Sequence, residues 1–215
     1  KAIEHNIHLL SRLRNEAALS TMIEIIRSRN NWKHLRSYLN IFVEYSKYFT
    51  QKQKLITLNY LYELLMHREE DIRQKAAELI GYIIADFDEE YRKEVPADVT
   101  IECPEVDSYQ LFSKYIDMIL HPDHKVIDTH KEWLGYNLRL FIRAFFEKCE
   151  VQSKHKYRDI FLEYLKMAPK DSVENGVHIF QSIRFIPLEK CNLKTVNILV
   201  ESLLYLAEFK RNFRG

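Results

Sequence analysis

Apolar residues recur along this chain at the three- and four-residue spacing of amphipathic helices. In the stretch 51–67, for example, Leu58, Leu61 and Leu65 fall on one side of a helix. The spacing predicts an all-α fold of ten helices, the first over residues 2–13. The later predicted helices include those over about 32–48, 51–67, 108–120, 124–148, 154–167, 172–185 and 193–212.

Several local features of these helices are also predicted. Thr50 and Gln53 offer a capping box at the start of the helix over 51–67, and a turn is expected at 169–171. The helix after the turn at 68–69 presents Ile72, Ala76, Leu79 or Ile80, and Ile83. Asn192 is the predicted cap of the helix over 193–212, in which Val196, Leu199, Leu203 and Leu206 lie on one face.

One stretch of the pattern is repeated, with its two copies at residues 64–83 and 118–137. Setting Gly81 on Gly135 aligns several other positions. The aligned pairs include Leu65 with Ile119, Ile72 with Val126, Ile80 with Leu134, Glu78 with Glu132 and Tyr82 with Tyr136. In both copies an apolar helix end runs through a short polar turn into a second helix. One such pair cannot bury its apolar face alone, so the repeat predicts stacked helix pairs that share a core.

These residues resemble the HEAT repeat of armadillo-like proteins. The first copy matches the repeat pattern at Leu64-Leu65, Glu70-Asp71-Ile72-Arg73, Ala76-Ala77 and Leu79-Ile80-Gly81. The second copy keeps Pro122, Asp123, Val126, Leu134 and Gly135 but has Ile127 in place of the arginine and His130 in place of the alanine. The resemblance implies a right-handed α-α superhelix, a solenoid of five helix pairs that serves as a scaffold for protein partners.

The composition agrees with long helices joined by short turns, because only 4 Gly and 5 Pro occur in 215 residues. We expect one continuous domain over residues 1–215, with a loop inserted at about 92–107. The 32 basic and 31 acidic residues give a net charge of +1. This balance argues against a nucleic-acid binder, which usually carries a basic excess.

The three cysteines indicate a reducing compartment, and we predict the cytoplasm. They are far apart and form no CxxC pair. No apolar run reaches the roughly 18 residues of a membrane span, so none is predicted. Because the chain begins with Lys1, we expect it to be a segment of a longer protein.

A second set of repeated residues lacks an obvious packing role. In each second helix they follow one another at intervals of four, and they are Gln74, Glu78 and Tyr82 in the first copy and Asp128, Glu132 and Tyr136 in the second. Second helices line the concave side of a solenoid. These residues therefore form the predicted partner-binding surface, since aromatic anchors in a groove are common hot spots. In the alternative interpretation, the tyrosines pack between helices and the glutamates are merely solvated.

The run from His121 to His130 offers a different hypothesis, a metal site built from His121, His124 and Asp128. The competing interpretation is a polar turn followed by the first turn of a helix. It is favoured because His67 occupies the His121 position in the other copy without metal-like neighbours. A histidine there can meet free helix-end carbonyls. We therefore predict no metal and no cofactor.

No enzymatic motif is evident, since the sequence has no Gly-rich phosphate loop, GxSxG or HExxH. A non-catalytic protein-interaction module is the favoured function, and enzyme activity stays open. One alternative is nucleic-acid binding through basic patches at 27–36, 154–158 and 210–214. Another is a regulatory arm for a catalytic domain outside this segment.

Overall fold

The structure is a computed structural model. It describes residues 16–28, 31–46, 49–88, 106–149, 153–189 and 191–213, which form helices joined by short turns. These ranges contain nine α-helices, one 3₁₀-helix and no strand, so the predicted all-α class is confirmed for them. The predicted helix over 2–13 and nearly all of the loop over 92–107 lie outside them. The α-helices are α1 Glu16–Arg27, α2 Trp32–Tyr45, α3 Gln51–Leu64, α4 Glu70–Ala85, α5 Ser108–Leu120, α6 Asp128–Lys148, α7 Lys154–Asp171, α8 Val173–Ser182 and α9 Leu193–Phe213, and the 3₁₀-helix is Ile183–Phe185.

The chain divides into two compact units, unit 1 (residues 1–108) and unit 2 (residues 109–215). In unit 1, α3 packs against α1 and α4, and α2 packs against α4. In unit 2, α8 packs against α6 and α7, and α9 packs against α7 and α8. Within each unit, helices two apart in the chain thus touch, which is the relation that stacked helix pairs require. The superhelix and the single continuous domain over the whole chain stay predictions.

The core of unit 1 follows the predicted periodicity. The apolar positions Ile72, Ala76, Ile80 and Ile83 of α4 are all buried, with 0–1 % of their surface exposed. They recur every three or four residues and therefore form one stripe along the helix. This stripe explains why α4 can pack against both α2 and α3.

The first turn of α3 is held by the predicted capping box. Thr50 Oγ1 accepts a hydrogen bond from the Gln53 backbone N at 3.2 Å, and Gln53 Oε1 accepts one from the Thr50 backbone N at 3.1 Å. Two backbone donors that the helix itself leaves without partners are thereby satisfied.

A buried lysine of α3 binds the C-terminal end of α4. Lys54 is 1 % exposed, and its Nζ donates to the Asp86 carbonyl at 2.8 Å. Asp86 is the C-cap residue of α4. The ammonium therefore meets the negative end of the α4 dipole, where a cation is stabilising.

Unit 2 is built around aromatic packing. The Phe112 ring of α5 lies 4.4 Å from the Phe145 ring of α6 and 5.3 Å from the Tyr157 ring of α7, measured between centroids. Asn175 of α8 donates through Nδ2 to the Leu120 carbonyl at the end of α5, at 3.0 Å. Asn175-Gly176, a pair that often marks a turn, therefore sits inside a helix and ties it to another helix end.

Two predicted helix boundaries in unit 2 are wrong. The α6 helix begins at Asp128 and not near 124, because Asp123 Oδ1 accepts from Lys125 N at 2.9 Å and holds a turn instead. The α7 helix continues to Asp171, through the turn expected at 169–171. It ends where Ser172 adopts an extended conformation and its hydroxyl accepts from Asn175 N at 3.1 Å, which caps α8.

We expect Thr50→Ala to lower the free energy of unfolding of unit 1 by about 1 kcal/mol, because the substitution removes the cap acceptor. Trp32 fluorescence in a Trp133→Phe background during urea unfolding reports on unit 1 alone. Thr50→Ser is the matched control, since it keeps the hydroxyl and should retain most of the stability. Equal midpoints for the alanine and serine variants would contradict the role assigned to this cap.

Candidate functional site

Three of the six predicted binding residues form one exposed side of α6, here called the α6 face: Asp128, Glu132 and Tyr136. The Asp128 side chain is fully exposed, Glu132 is exposed, and Tyr136 is 47 % exposed. Their spacing of four residues places them above one another along the first half of the helix. Lys131 Nζ is 3.9 Å from Asp128 Oδ1, a distance at which an exposed pair contributes little.

Tyr136 is supported from behind by a histidine of α8. The His178 ring centroid lies 5.4 Å from that of Tyr136, with the two planes 67° apart. A Cβ atom added to Gly135 would overlap the His178 imidazole. Glycine at 135 therefore gives α8 the room to place this ring against α6. The tyrosine is neither fully tucked between helices nor free in solvent.

Two carboxylates act on the same histidine. Burial lowers the pKa of His178, and the negative charges of Glu174 and Glu132 partly offset that effect. His178 Nδ1 is buried without a hydrogen-bond partner in the part of the chain that the structure describes. Near neutral pH the ring is therefore uncharged, since burial disfavours the imidazolium form.

The corresponding residues of α4, Gln74, Glu78 and Tyr82, are less accessible. All three are half-buried. Gln74 Nε2 donates to Glu70 Oε1 at 3.0 Å, and Glu78 and Tyr82 each take part in a further intramolecular interaction. The repeat therefore places a glutamate and a tyrosine four residues apart on both helices, one turn nearer the helix start in α6, and exposes them more fully there. A continuous binding surface that includes the residues of both copies stays a prediction.

The histidine-rich run at 121–130 is a turn followed by a helix start. His124 Nδ1 lies 3.2 Å from Asp123 Oδ1, and both side chains are on the surface. The Asp128 side chain is fully exposed and lies near Lys131. In the described residues no three His, Cys, Asp or Glu side chains converge so as to hold a metal ion. His121, His124 and Asp128 are thus not brought together as ligands.

His67, the counterpart of His121, organises the turn before α4. Its Nδ1 accepts from Glu69 N at 3.0 Å, and Arg73 Nη1 donates to the His67 carbonyl at 2.8 Å. Burial lowers the pKa of His67, and Glu69 partly offsets the change. The arginine of the HEAT-like pattern therefore has a structural role in this copy.

Two arginines of the basic patch at 27–36 are paired with acids of the same unit. Arg27 Nη2 donates to both carboxylate oxygens of Glu63, at 2.9 and 2.8 Å, and Arg27 Nη1 donates to Glu24 Oε1 at 2.8 Å. Arg36 Nη1 lies 3.5 Å from Asp71 Oδ2. A guanidinium that is already paired has fewer donors left for phosphate, so this patch is a weaker nucleic-acid surface than its sequence suggests.

The basic run at 154–158 is also partly structural. Arg158 is 4 % exposed, and its Nη1 donates to the Pro187 and Glu189 carbonyls at 3.2 and 3.1 Å. Lys156 Nζ lies 4.3 Å from the centroid of the Tyr109 ring, in a cation–π contact. The side chains of 210–214 lie outside the described residues.

His178 and Glu174 belong to the site but escaped the sequence interpretation. They lie in the helix predicted over 172–185, outside both copies of the repeat. The usable signal was Gly135 in the middle of a helix, because such a glycine often marks a close approach by another element. Nothing in the local sequence indicated that the approaching group is an imidazole.

No family model, curated protein or solved structure matches the chain. The resemblance to HEAT repeats therefore stays an expectation from the sequence of the two copies. Across the ranges that the structure covers, none of the helices combines the length and apolar character needed to cross a membrane. Cys149 is buried and Cys191 half-buried, and both are free thiols.

We expect Gly135→Ala to destabilise unit 2 by about 1–3 kcal/mol, because the added methyl displaces the His178 ring from a packed position. In a His178→Ala background the same substitution should be neutral or stabilising, since alanine is about 1 kcal/mol better than glycine inside a helix. The double-mutant cycle is measured by Trp133 fluorescence in a Trp32→Phe background. Additive effects would show that the two residues do not compete for this space.

The lowered pKa of His178 makes unit 2 less stable in acid. The unfolded chain takes up the histidine proton as pH falls through its ordinary value of 6.5, while the folded state does so only at lower pH, so stability is lost below about 6.5. His178→Gln should show a smaller fall in melting temperature between pH 7.5 and 5.5. His124→Gln, at a side chain that is 87 % exposed, is the control and should behave like wild type. Parallel curves for all three proteins would contradict the assignment.

Proposed function

We propose that this segment is a HEAT-like interaction module that binds a protein partner through the α6 face. The proposal is supported above all by two exposed carboxylates and a half-exposed tyrosine that follow one another along α6. The tyrosine is held in place by His178, so less conformational entropy is lost when a partner packs on it. In the superhelix that the resemblance implies, this side of α6 is concave.

The charges of this surface favour a basic partner segment. Asp128, Glu132 and Glu174 are all exposed, and Lys131 is the nearest opposite charge on the helix. Carboxylates around an aromatic ring offer acceptors to lysine or arginine and a face for cation–π contact. Such pairs set orientation and association rate, while the ring contributes most of the buried area. We expect the complex to form in the reducing cytoplasm.

A photo-crosslinking residue at Asp128 should capture one or a few defined proteins from an extract of the native cells. Double substitution of Glu132→Lys and Tyr136→Ala should reduce the yield at least about tenfold, because two contacts of roughly 1 kcal/mol each are lost. Gel shift and mass spectrometry measure the yield and identify the partner. The same photoreactive residue at the exposed Lys114 of α5 is the control position.

Equal products from both positions, or a yield unaffected by the double substitution, would overturn the proposed face. Heparin retention of the same proteins tests the nucleic-acid alternative. Weak retention that is lost at moderate salt agrees with the paired arginines of α1 and α2. Tight, strongly salt-dependent retention would favour nucleic acid instead.

A further inference from the structure

Helices α6 and α8 lie side by side and run in the same direction. His178 of α8 lies against Gly135 and Tyr136 of α6. Further along both helices, the guanidinium carbon of Arg143 lies 5.9 Å from the ring centroid of Phe185, in the 3₁₀-helix that continues α8. The two contacts follow in the same order along both elements, so the helices are parallel. Their adjoining outer side chains are here called the α6–α8 surface.

The charged side chains of this surface are sorted by sign along both helices. Each helix carries an acid, then an aromatic ring and then an arginine. In chain order these residues are Glu132, Tyr136 and Arg143 on α6, and Glu174, His178 and Arg184 on α8 and its 3₁₀ continuation. Both acids and Arg184 are exposed, and 36 % of the Arg143 side chain is exposed. The surface is therefore negative near the start of the two helices and positive further along them.

The positive end places two guanidinium groups at one aromatic ring. Those of Arg143 and Arg184 lie 5.9 and 4.7 Å from the Phe185 centroid, measured from the guanidinium carbons. Glu147 Oε1 is 3.8 Å from Arg143 Nε, a separation at which an exposed pair contributes little. Within the part of the chain that the structure describes, no carboxylate pairs with Arg184. Guanidinium groups present several donors in a rigid fork, which suits a carboxylate of a partner.

The helix dipole accounts for only part of this order of charges. It favours acids in the first turn and bases in the last turn, and its effect fades beyond those turns. Glu132 is in the second turn of α6, which begins at Asp128, and Arg143 lies five residues before the last residue, Lys148. The dipole therefore does not explain why these two residues are charged, whereas a bound segment of complementary charge does.

From this order we infer that the α6–α8 surface binds one protein segment that is basic at one end and acidic at the other. Its lysine or arginine side chains lie over Glu132 and Glu174, and its carboxylates lie over Arg143 and Arg184. The inference rests on the proposed function and adds α8 and the acidic half of the partner to it. Glu132 and Arg143 are eleven positions apart in the helix. The two ends of the site are thus roughly 17 Å apart, which an extended segment spans with about five residues.

Fluorescence anisotropy with labelled synthetic peptides of about ten residues tests both ends of the site. A bipolar peptide carries a lysine block, a neutral middle and a glutamate block, and two further peptides of equal length carry only lysine or only glutamate blocks. The wild-type protein should bind the bipolar peptide at least about fivefold more tightly than either of the others, because only this peptide pairs with both ends. Equal or tighter binding of the all-lysine peptide would overturn the inference.

Charge reversal should change the preference at one end at a time. In Arg184→Glu, the ratio of bipolar to all-lysine affinity should fall at least about fivefold, because the acidic block now meets a like charge. In Glu132→Lys, the ratio of bipolar to all-glutamate affinity should fall similarly. Lys114→Glu makes the same change of net charge as Arg184→Glu, at an exposed residue of α5, and should keep both wild-type ratios.

Unchanged ratios in Arg184→Glu, or an equal change in Lys114→Glu, would contradict the assigned positive end. Arg184→Gln removes the charge without reversing it and should lower the affinity for the bipolar peptide about two- to threefold. This milder variant decides the question if Arg184→Glu does not fold.

Failure of this inference can be told apart from failure of the proposed function. A photo-crosslinking residue at Gln181, four positions before Phe185, should capture the same protein as one at Asp128. Capture at 128 without capture at 181 would leave the α6 face intact and refute the acidic half of the partner. If the wild-type protein binds none of the three peptides, the bipolar segment is wrong, and crosslinking at Asp128 alone decides the proposed function.

Discussion

The close approach of α8 to α6 is the constraint on which the candidate site depends. It exists because Gly135 has no side chain where the His178 ring lies. The ring in turn supports Tyr136 and stands within the field of Glu132 and Glu174. The absent Cβ of Gly135 therefore leaves the space in which the His178 ring packs on Tyr136. Because the half-buried ring contacts both Gly135 and Tyr136, a substitution at either position also changes the surroundings of the histidine.

The sequence predicted the features that depend on residues close together in the chain, namely the buried stripe of a helix and the caps at helix starts. The period of apolar residues in α4 identified its buried stripe, and the cap residues identified where helices start. Thr50 caps α3 as expected, and Asn192 Oδ1 accepts from Thr195 N at 2.8 Å at the start of α9, also as expected. The errors arose where two local signals compete. Asp123 formed a turn of its own, and α7 continued through the turn expected at 169–171 to Asp171.

The roles of charged residues could not be predicted, because their partners are distant in the chain. Arg27 pairs with Glu63, 36 positions away, and Lys54 reaches the Asp86 carbonyl, 32 positions away. Arg158 donates to the carbonyls of Pro187 and Glu189. In the sequence these residues look like solvated or phosphate-binding charges. Only the folded structure reveals that these side chains hold one element to another, and this lowers the weight of the basic patches as evidence for function.

The α9 helix shows a further limit of periodicity, because it carries apolar residues on more than one side. The sequence interpretation placed Val196, Leu199, Leu203 and Leu206 on one face. In the structure Leu199 and Leu206 are half-buried and Val196 and Leu203 are exposed, while Thr195 and Ser202 are buried. A helix with two apolar sides can satisfy only one of them within its own unit. The side that stays outside is the one that the packing of α9 against α7 and α8 leaves uncovered.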